Sequence, residues 1–283
     1  MYTYAWYHWI TFFFLYCFFG WIFESTYVSL KSGHFVNRGF LRLPMLPLYG
    51  TGAVMMLWVS LPVKNNLFLV YLSGVVAATI LEYVTGAVME RLFKVKYWDY
   101  SDQKYNLHGY ICLSSSIAWG FLTILMTEVI HKPVERFVLG LNPAVEFTLI
   151  GVVGVMFIAD SIQSTREALD LARALEAMTR MRAELEELQV QIALLKAEAV
   201  QKANRSRRLI TEARFRRAVH QKPVLTAEFA VLSERLRELS EKRQSLTHRI
   251  GTTRRRILRR NPGATSRHFA EALKELWDTI DTH

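Results

Sequence analysis

Apolar residues fill the first 160 positions in long blocks and mark the remainder in narrow stripes. The blocks cover about 5–30, 48–63, 67–93, 110–130 and 144–162. A helix needs ~20 apolar residues to cross a bilayer, so the pattern predicts about five membrane spans. The second block is the shortest and ends at Pro62. A tilted or re-entrant helix fits it equally, provided protein shields its backbone. Past residue 165 the apolar residues keep an a/d register: Leu171/Ala174, Met178/Met181, Leu185/Leu188 and Ile192/Leu195. Charges between them make this a coiled-coil pattern. "VHQKPVLTAEF" interrupts it, with Pro223 ending one helix and Thr226 capping the next. A second register follows: Phe229/Leu232, Leu236/Leu239, a break at Arg243, then Leu246/Ile250 and Ile257. "RRNPGATS" ends that helix. "SRHFAEALKELWDTI" then places Phe269, Leu273, Leu276 or Trp277, and Ile280 on one face.

These elements predict an all-α protein: a polytopic membrane helical bundle of about five spans, followed by a coiled-coil hairpin. The expected divisions are a transmembrane domain at 1–162, a hairpin at 163–260 and a short amphipathic helix at 261–283. Ser164 or Thr165 offers a cap for a new helix at the junction; alternatively the fifth span runs straight through.

Charge separates the two halves. Residues 1–160 carry 10 Lys/Arg and 9 Asp/Glu, whereas 161–283 carry 25 and 16. Lys31, Arg38, Arg42, Arg91, Lys94, Lys96, Lys104 and the tail fall on one side of the spans; Lys64, Lys132 and Arg136 fall on the other. The positive-inside rule then predicts an outside N-terminus and a cytoplasmic tail in a multi-pass cell-membrane protein. Trp6, Trp9, Trp58 and Trp98 suit interfacial anchors. The first segment has no basic leader or small-residue cleavage site, and reads as a retained helix. Cys17 and Cys112, both in apolar segments, form neither a disulfide framework nor a metal-ligand spacing. No metal or cofactor is expected. A Walker-type G-x-x-x-x-G-K-[ST] is absent, so ATP-driven work would need a separate ATPase polypeptide.

Candidate chemistry lies in the third block. Gly74, Ala78, Glu82, Gly86 and Glu90 recur every four residues and form one helical stripe. Small residues on a stripe admit a neighbouring helix, and a carboxylate facing lipid is expensive. Glu82 is therefore expected to face protein. Tyr16, Gly20 and Glu24 repeat the pattern in the first block, and the predicted topology puts Glu24 and Glu82 at comparable depth in the cytoplasmic half of the membrane, so the two are expected to line one polar cavity. A helix-packing role for each glutamate is the competing reading. The loop "KSGHFVNRGFLRLPMLPLYGTG" cannot be one helix, because Pro44 and Pro47 interrupt it. Its Arg38 and Arg42 fit either an anionic ligand or plain positive-inside residues. In "KVKYWDYSDQKYNLHGYIC", Trp98, Asp99, Tyr100 and Asn106 bring aromatic and hydrogen-bonding groups. Asp99 can pair with Arg38, Arg42 or Lys96. Ser114–Ser116 lack a base and a G-x-S-x-G context and read as packing residues.

"GWIFES", "NRGFLRLPMLPLYGTG", "LEYVTGAVMERLF" and "YWDYSDQKYNLHGYICL" stand in the order of the characteristic segments of one bacterial membrane family. Over residues 5–160 the chain resembles the "putative ABC-transporter type IV" or CmpB-like permease family. The resemblance implies a permease with characteristic positions at Glu24, Asn37, Arg38, Gly39, Pro44, Pro47, Tyr49, Gly50, Glu82, Gly86, Glu90, Trp98, Asp99, Tyr100, Asn106 and Gly109. Leu43 stands where the family usually has glycine.

The expected function is permease-like transport of a small solute, ion or lipid-like anion. The cavity or ligand-binding residues are expected among Glu24, Arg38, Arg42, Tyr49, Glu82, Glu90, Trp98, Asp99, Tyr100 and Asn106. Alternatives are a membrane-embedded enzyme acting on a lipid headgroup, or a membrane-anchored scaffold; catalytic residues are not identified. Expected partners are the bilayer, anionic lipid at the basic clusters 205–217 and 254–260, an ATPase subunit, and a second copy through the coiled coil. Nucleic acid is the poorer fit.

Overall fold

The computed structural model describes residues 4–209 and 222–281; side chains are described except at 203–209, 222–226, 248–255 and 280–281. Among the described residues the protein is all-helical, with isolated antiparallel bridges but no strands. Helix α1 spans Trp6–Ser32 and α2 spans Pro47–Ser60, extended by a 3₁₀ turn at Leu61–Val63. Helix α3 is Leu67–Phe93. Helices α4 (Leu113–Leu125) and α5 (His131–Leu139) join through a π turn at Met126–Ile130. Helix α6 is Pro143–Leu209, α7 Lys222–Arg260 and α8 Ala270–Asp281.

Local signals set several ends. Gly33 closes α1 at φ 71°, the left-handed conformation glycine adopts without strain. Pro47 opens α2, where a missing N–H is harmless. The Asn66 side chain caps α3 by accepting from the N–H groups of Phe68 and Leu69. The π turn precedes Pro133, which donates no backbone hydrogen bond and crowds the carbonyl of Val129.

Among the described residues, four helical segments are long and apolar enough to cross a membrane: Trp6–Ser32, Leu67–Phe93, Leu113–Leu139 and the apolar start of Pro143–Lys202. The expected block at 48–63 forms a shorter apolar helix, Pro47–Val63. The fourth block continues through Pro133 to Leu139 because the π turn absorbs the proline. The junction after residue 162 is one continuous helix, so Ser164 and Thr165 cap nothing.

Packing divides the chain into two units, Met1–Ala172 with Arg254–His268, and Arg173–Thr253 with Phe269–His283. In the first, Phe12, Tyr16, Ala53, Met56, Leu57, Ala78, Met126 and Val138 form the core. Helix α2 runs antiparallel to α1: Tyr49 lies against Gly20, while Met56 and Leu57 reach the level of Phe12. On α3, Gly74, Ala78, Glu82, Gly86 and Glu90 are all buried. Val76, Ile80, Val84 and Val88 form the opposite stripe and are about half exposed. Carboxylates inside and valines outside is the arrangement a lipid solvent demands.

In the second unit, Leu175, Met178, Leu185 and Leu188 of α6 are buried, as are Leu273 and Leu276 of α8. The Lys196 ammonium stands 5.4 Å from the Phe229 ring. Arg243, the break in the second register, pairs with Glu275 of α8, and Arg182 pairs with Glu271. The charge that interrupts the pattern thus has a carboxylate waiting for it. Pro223, Thr226, Ile250 and Ile280 lie outside the described side chains, as does the cluster at 205–217.

Candidate functional site

Two carboxylates project from α1 and α3, each to its own set of donors. The Tyr49 hydroxyl donates to Glu24 Oε1 at 2.7 Å, and Arg38 Nε lies 3.8 Å from Glu24 Oε2. Tyr49 reaches Glu24 because Gly20 leaves room for its ring; a Cβ at Gly20 would collide with that ring. Glu82 is buried and accepts from Tyr100 Oη at 3.2 Å, Ser115 Oγ at 3.3 Å and Trp119 Nε1 at 2.8 Å. Neutral donors therefore satisfy it, and none of the ion pairs among the described residues includes it. Glu90 accepts from the Tyr110 hydroxyl.

Glu24 and Arg38 line a cavity of ≈ 180 Å³ with Tyr49, Trp98, Thr85 and Met89. Glu82, Glu90, Arg42, Asp99, Tyr100 and Asn106 are not in its lining. Burial first, then Glu82, and more weakly Glu24, push the Tyr100 phenol above its ordinary range. Glu24 and Glu82 share no direct hydrogen bond.

The loop after α3 is cross-braced. Trp98 Nε1 donates to Tyr110 O at 2.9 Å. Asn106 donates to the carbonyls of Ser101 and Gln103 and accepts from Gly109 N. Of the three cations open to Asp99, Lys96 takes it, at 3.2 Å. Burial alone would raise the Asp99 pKa, but hydrogen bonds from Ser101, Thr265 and Lys96 outweigh it and hold the carboxyl below its ordinary range. Arg42 turns elsewhere and pairs with Glu167 of α6, while its backbone N–H donates to Asp160 Oδ2 at 2.8 Å.

The segment following α7 completes one wall. Asn261, 2% exposed, accepts from Arg38 Nη1 at 3.0 Å and donates to Gly39 O at 3.3 Å. It lines the cavity beside Glu24. Thr265 forms an antiparallel bridge with Lys96, and its hydroxyl donates to Asp99 Oδ2 at 2.9 Å. Ser266 Oγ donates to Lys94 O. Sequence reasoning read "RRNPGATS" only as a helix terminator and missed these contacts.

A second polar group sits where α1 begins. His131 lies between the hydroxyls of Tyr4 and Tyr16, and Tyr4 also donates to Glu135. Glu146, fully buried, holds His8 at 3.0 Å and Thr11 at 2.7 Å. The rule that drew attention to Glu82, a charge inside an apolar block, also applies to Glu146.

Residues 11–165 match the sequence model of the family described as "Putative ABC-transporter type IV". The chain belongs to that family. No curated protein and no solved structure matches it. This member of the family is thus a membrane protein, and the matched region covers more than half of its length. Asn261 and Thr265 belong to the part of this type IV protein beyond the match.

Proposed function

We propose that this type IV family protein is a permease whose polar cavity passes a small solute, ion or lipid-like anion. The observation that carries the reading is the ≈ 180 Å³ cavity in which a carboxylate, a guanidinium and a phenol converge. Its volume lies below the ~300–1,000 Å³ of sites for drug-sized ligands, which favours a small cargo. Glu24, Arg38, Tyr49 and Trp98 act at the cavity. Glu82, Glu90, Asp99, Tyr100 and Asn106 hold its helices and loop, and Arg42 ties the first loop to α6.

In this reading α2 is a fifth crossing. Its 17 residues, Pro47–Val63, rise ~25 Å at ~1.5 Å each, close to the ~30 Å hydrocarbon thickness. The N-terminus then lies outside the cell membrane and the tail in the cytoplasm, as the loop charges favour. Residues 1–162 are the transport domain, 163–260 a cytoplasmic coiled-coil hairpin and 261–283 an amphipathic end. The hairpin recruits a second copy, an ATPase subunit energises transport, and basic tail clusters meet anionic lipid.

Vesicles reconstituted with the full chain test the core of this reading. Proton, rubidium and phosphate flux are followed in parallel. Glu24→Gln is expected to lower at least one flux by about tenfold, the equivalent of one charge-assisted hydrogen bond, with the fold intact by circular dichroism. Flux at the wild-type rate for all three would refute a transport role for the cavity.

A further inference from the structure

We infer that Arg260 and Arg42 form a binding site for a phosphate-class anion where α6 leaves its apolar stretch. Arg260 is 8% exposed, and its Nη1 is buried without a hydrogen-bond partner. Arg42 Nε is also buried and unpartnered. Asp160, whose charge acts on Arg260, bonds neither atom. Asp160 Oδ2 takes the backbone N–H groups of Arg42 and Leu43, each at 2.8 Å, and its Oδ1 faces Ser164 Oγ at 3.5 Å. Glu167 is occupied by Arg42 Nη2. Burial pulls the Arg260 pKa down; Asp160 opposes that, while the charges of Arg42 and Arg256 add to it. Asp160 and Glu167 are thus already engaged, and neither is hydrogen-bonded to Arg260 Nη1 or Arg42 Nε.

A buried guanidinium without an anion is more costly than one that is paired. Its planar fork matches oxyanions, and phosphate carries enough oxygens to accept from two arginines at once. Position supports the same chemistry. Asp160 is the first charged residue after the apolar run 147–159 of α6, which is the depth of lipid phosphates. The phosphate belongs to a lipid headgroup or to a free anion. This inference deepens the anionic-lipid reading above and rests on it only for the membrane boundary.

Thermal unfolding of the full chain, followed by tryptophan fluorescence, tests it. The chain is placed in phosphatidylcholine vesicles with and without phosphatidic acid, and in detergent with and without inorganic phosphate. Arg260→Gln is compared with Arg259→Gln, whose side chain is exposed. Each variant is read against its own anion-free midpoint, so an intrinsic loss of stability cancels. Wild type and Arg259→Gln should be stabilised, and Arg260→Gln should need about tenfold more anion, the loss expected for a charge-assisted hydrogen bond. Arg42→Lys keeps the charge but lacks Nε, and should be weakened similarly if Arg260→Gln does not fold. Stabilisation in both media supports the site with free phosphate sufficient; stabilisation by vesicles alone supports it with a lipid source. Equal responses from Arg259→Gln and Arg260→Gln would overturn the site and leave general lipid attraction standing. No response in any variant would overturn both.

Discussion

Asn261→Ala should release the segment that walls the cavity. The wild-type side chain accepts from the Arg38 guanidinium at 3.0 Å and donates to Gly39 O at 3.3 Å. A hydrogen bond to a charged group contributes ~1.5–3 kcal/mol and a neutral one ~0.5–1.5 kcal/mol. Their joint loss weakens docking by ~2–4 kcal/mol, which is roughly 30- to 1,000-fold in the docking equilibrium. The backbone bonds of Thr265 to Lys96 and the Ser266 bond to Lys94 remain, so the segment opens more often without leaving altogether. Hydrogen exchange in detergent measures this directly. Amides of residues 257–267 should lose protection, while α3 amides between 70 and 90 stay unchanged. Asn261→Asp provides a second reading: it keeps the acceptor for Arg38, adds charge, and loses the bonds that the amide nitrogen donates to Gly39 O and Ile257 O. Its loss of protection should be smaller. Undiminished protection of 257–267 in Asn261→Ala would refute the argument that these two bonds hold the wall.

Two further outcomes follow from the same geometry. Gly74→Val should lower the unfolding midpoint, because its side chain would strike Thr123 of α4 and overpacking costs ~1–3 kcal/mol; Gly151→Val meets open space and serves as the control, and equal midpoints would contradict the close α3–α4 approach. Asp99 has a folded pKa below its ordinary value, so its contribution is complete above the unfolded value of ~3.9 and is lost as pH falls through the lower folded value. Pepsin cleavage within residues 94–112 should therefore rise steeply only below about pH 4, and Asp99→Asn should remove that step; a step retained in the variant would assign it to another group.

The inward stripe of α3 was legible because it needs only the helical period. Residues four apart share a face wherever the helix lies, and lipid admits few carboxylates on the other face. The same period reads out the tail, where Met178, Leu185, Leu188, Leu273 and Leu276 are buried. The length of α2 was readable to within a residue or two, and its brevity was visible as well. Continuity at Ser164 was undecided locally, since a capping residue and a helix interior can carry the same letters there.

Glu24 and Glu82 were placed together by depth along their helices. Depth leaves rotation about the helix axis open, and the tertiary packing sends Glu24 to Tyr49 and Arg38 but Glu82 to Tyr100, Ser115 and Trp119. The choice of Lys96 for Asp99, and of Glu167 for Arg42, was likewise decided by which backbone brings the charges within reach. By itself the sequence determined the membrane-length helices, their buried faces and the family. Only the tertiary structure decided that Asn261 meets Arg38, 223 positions away along the chain. Local periodicity carries no information about a contact between segments so far apart; that contact exists because buried donors and acceptors on the two segments satisfy one another.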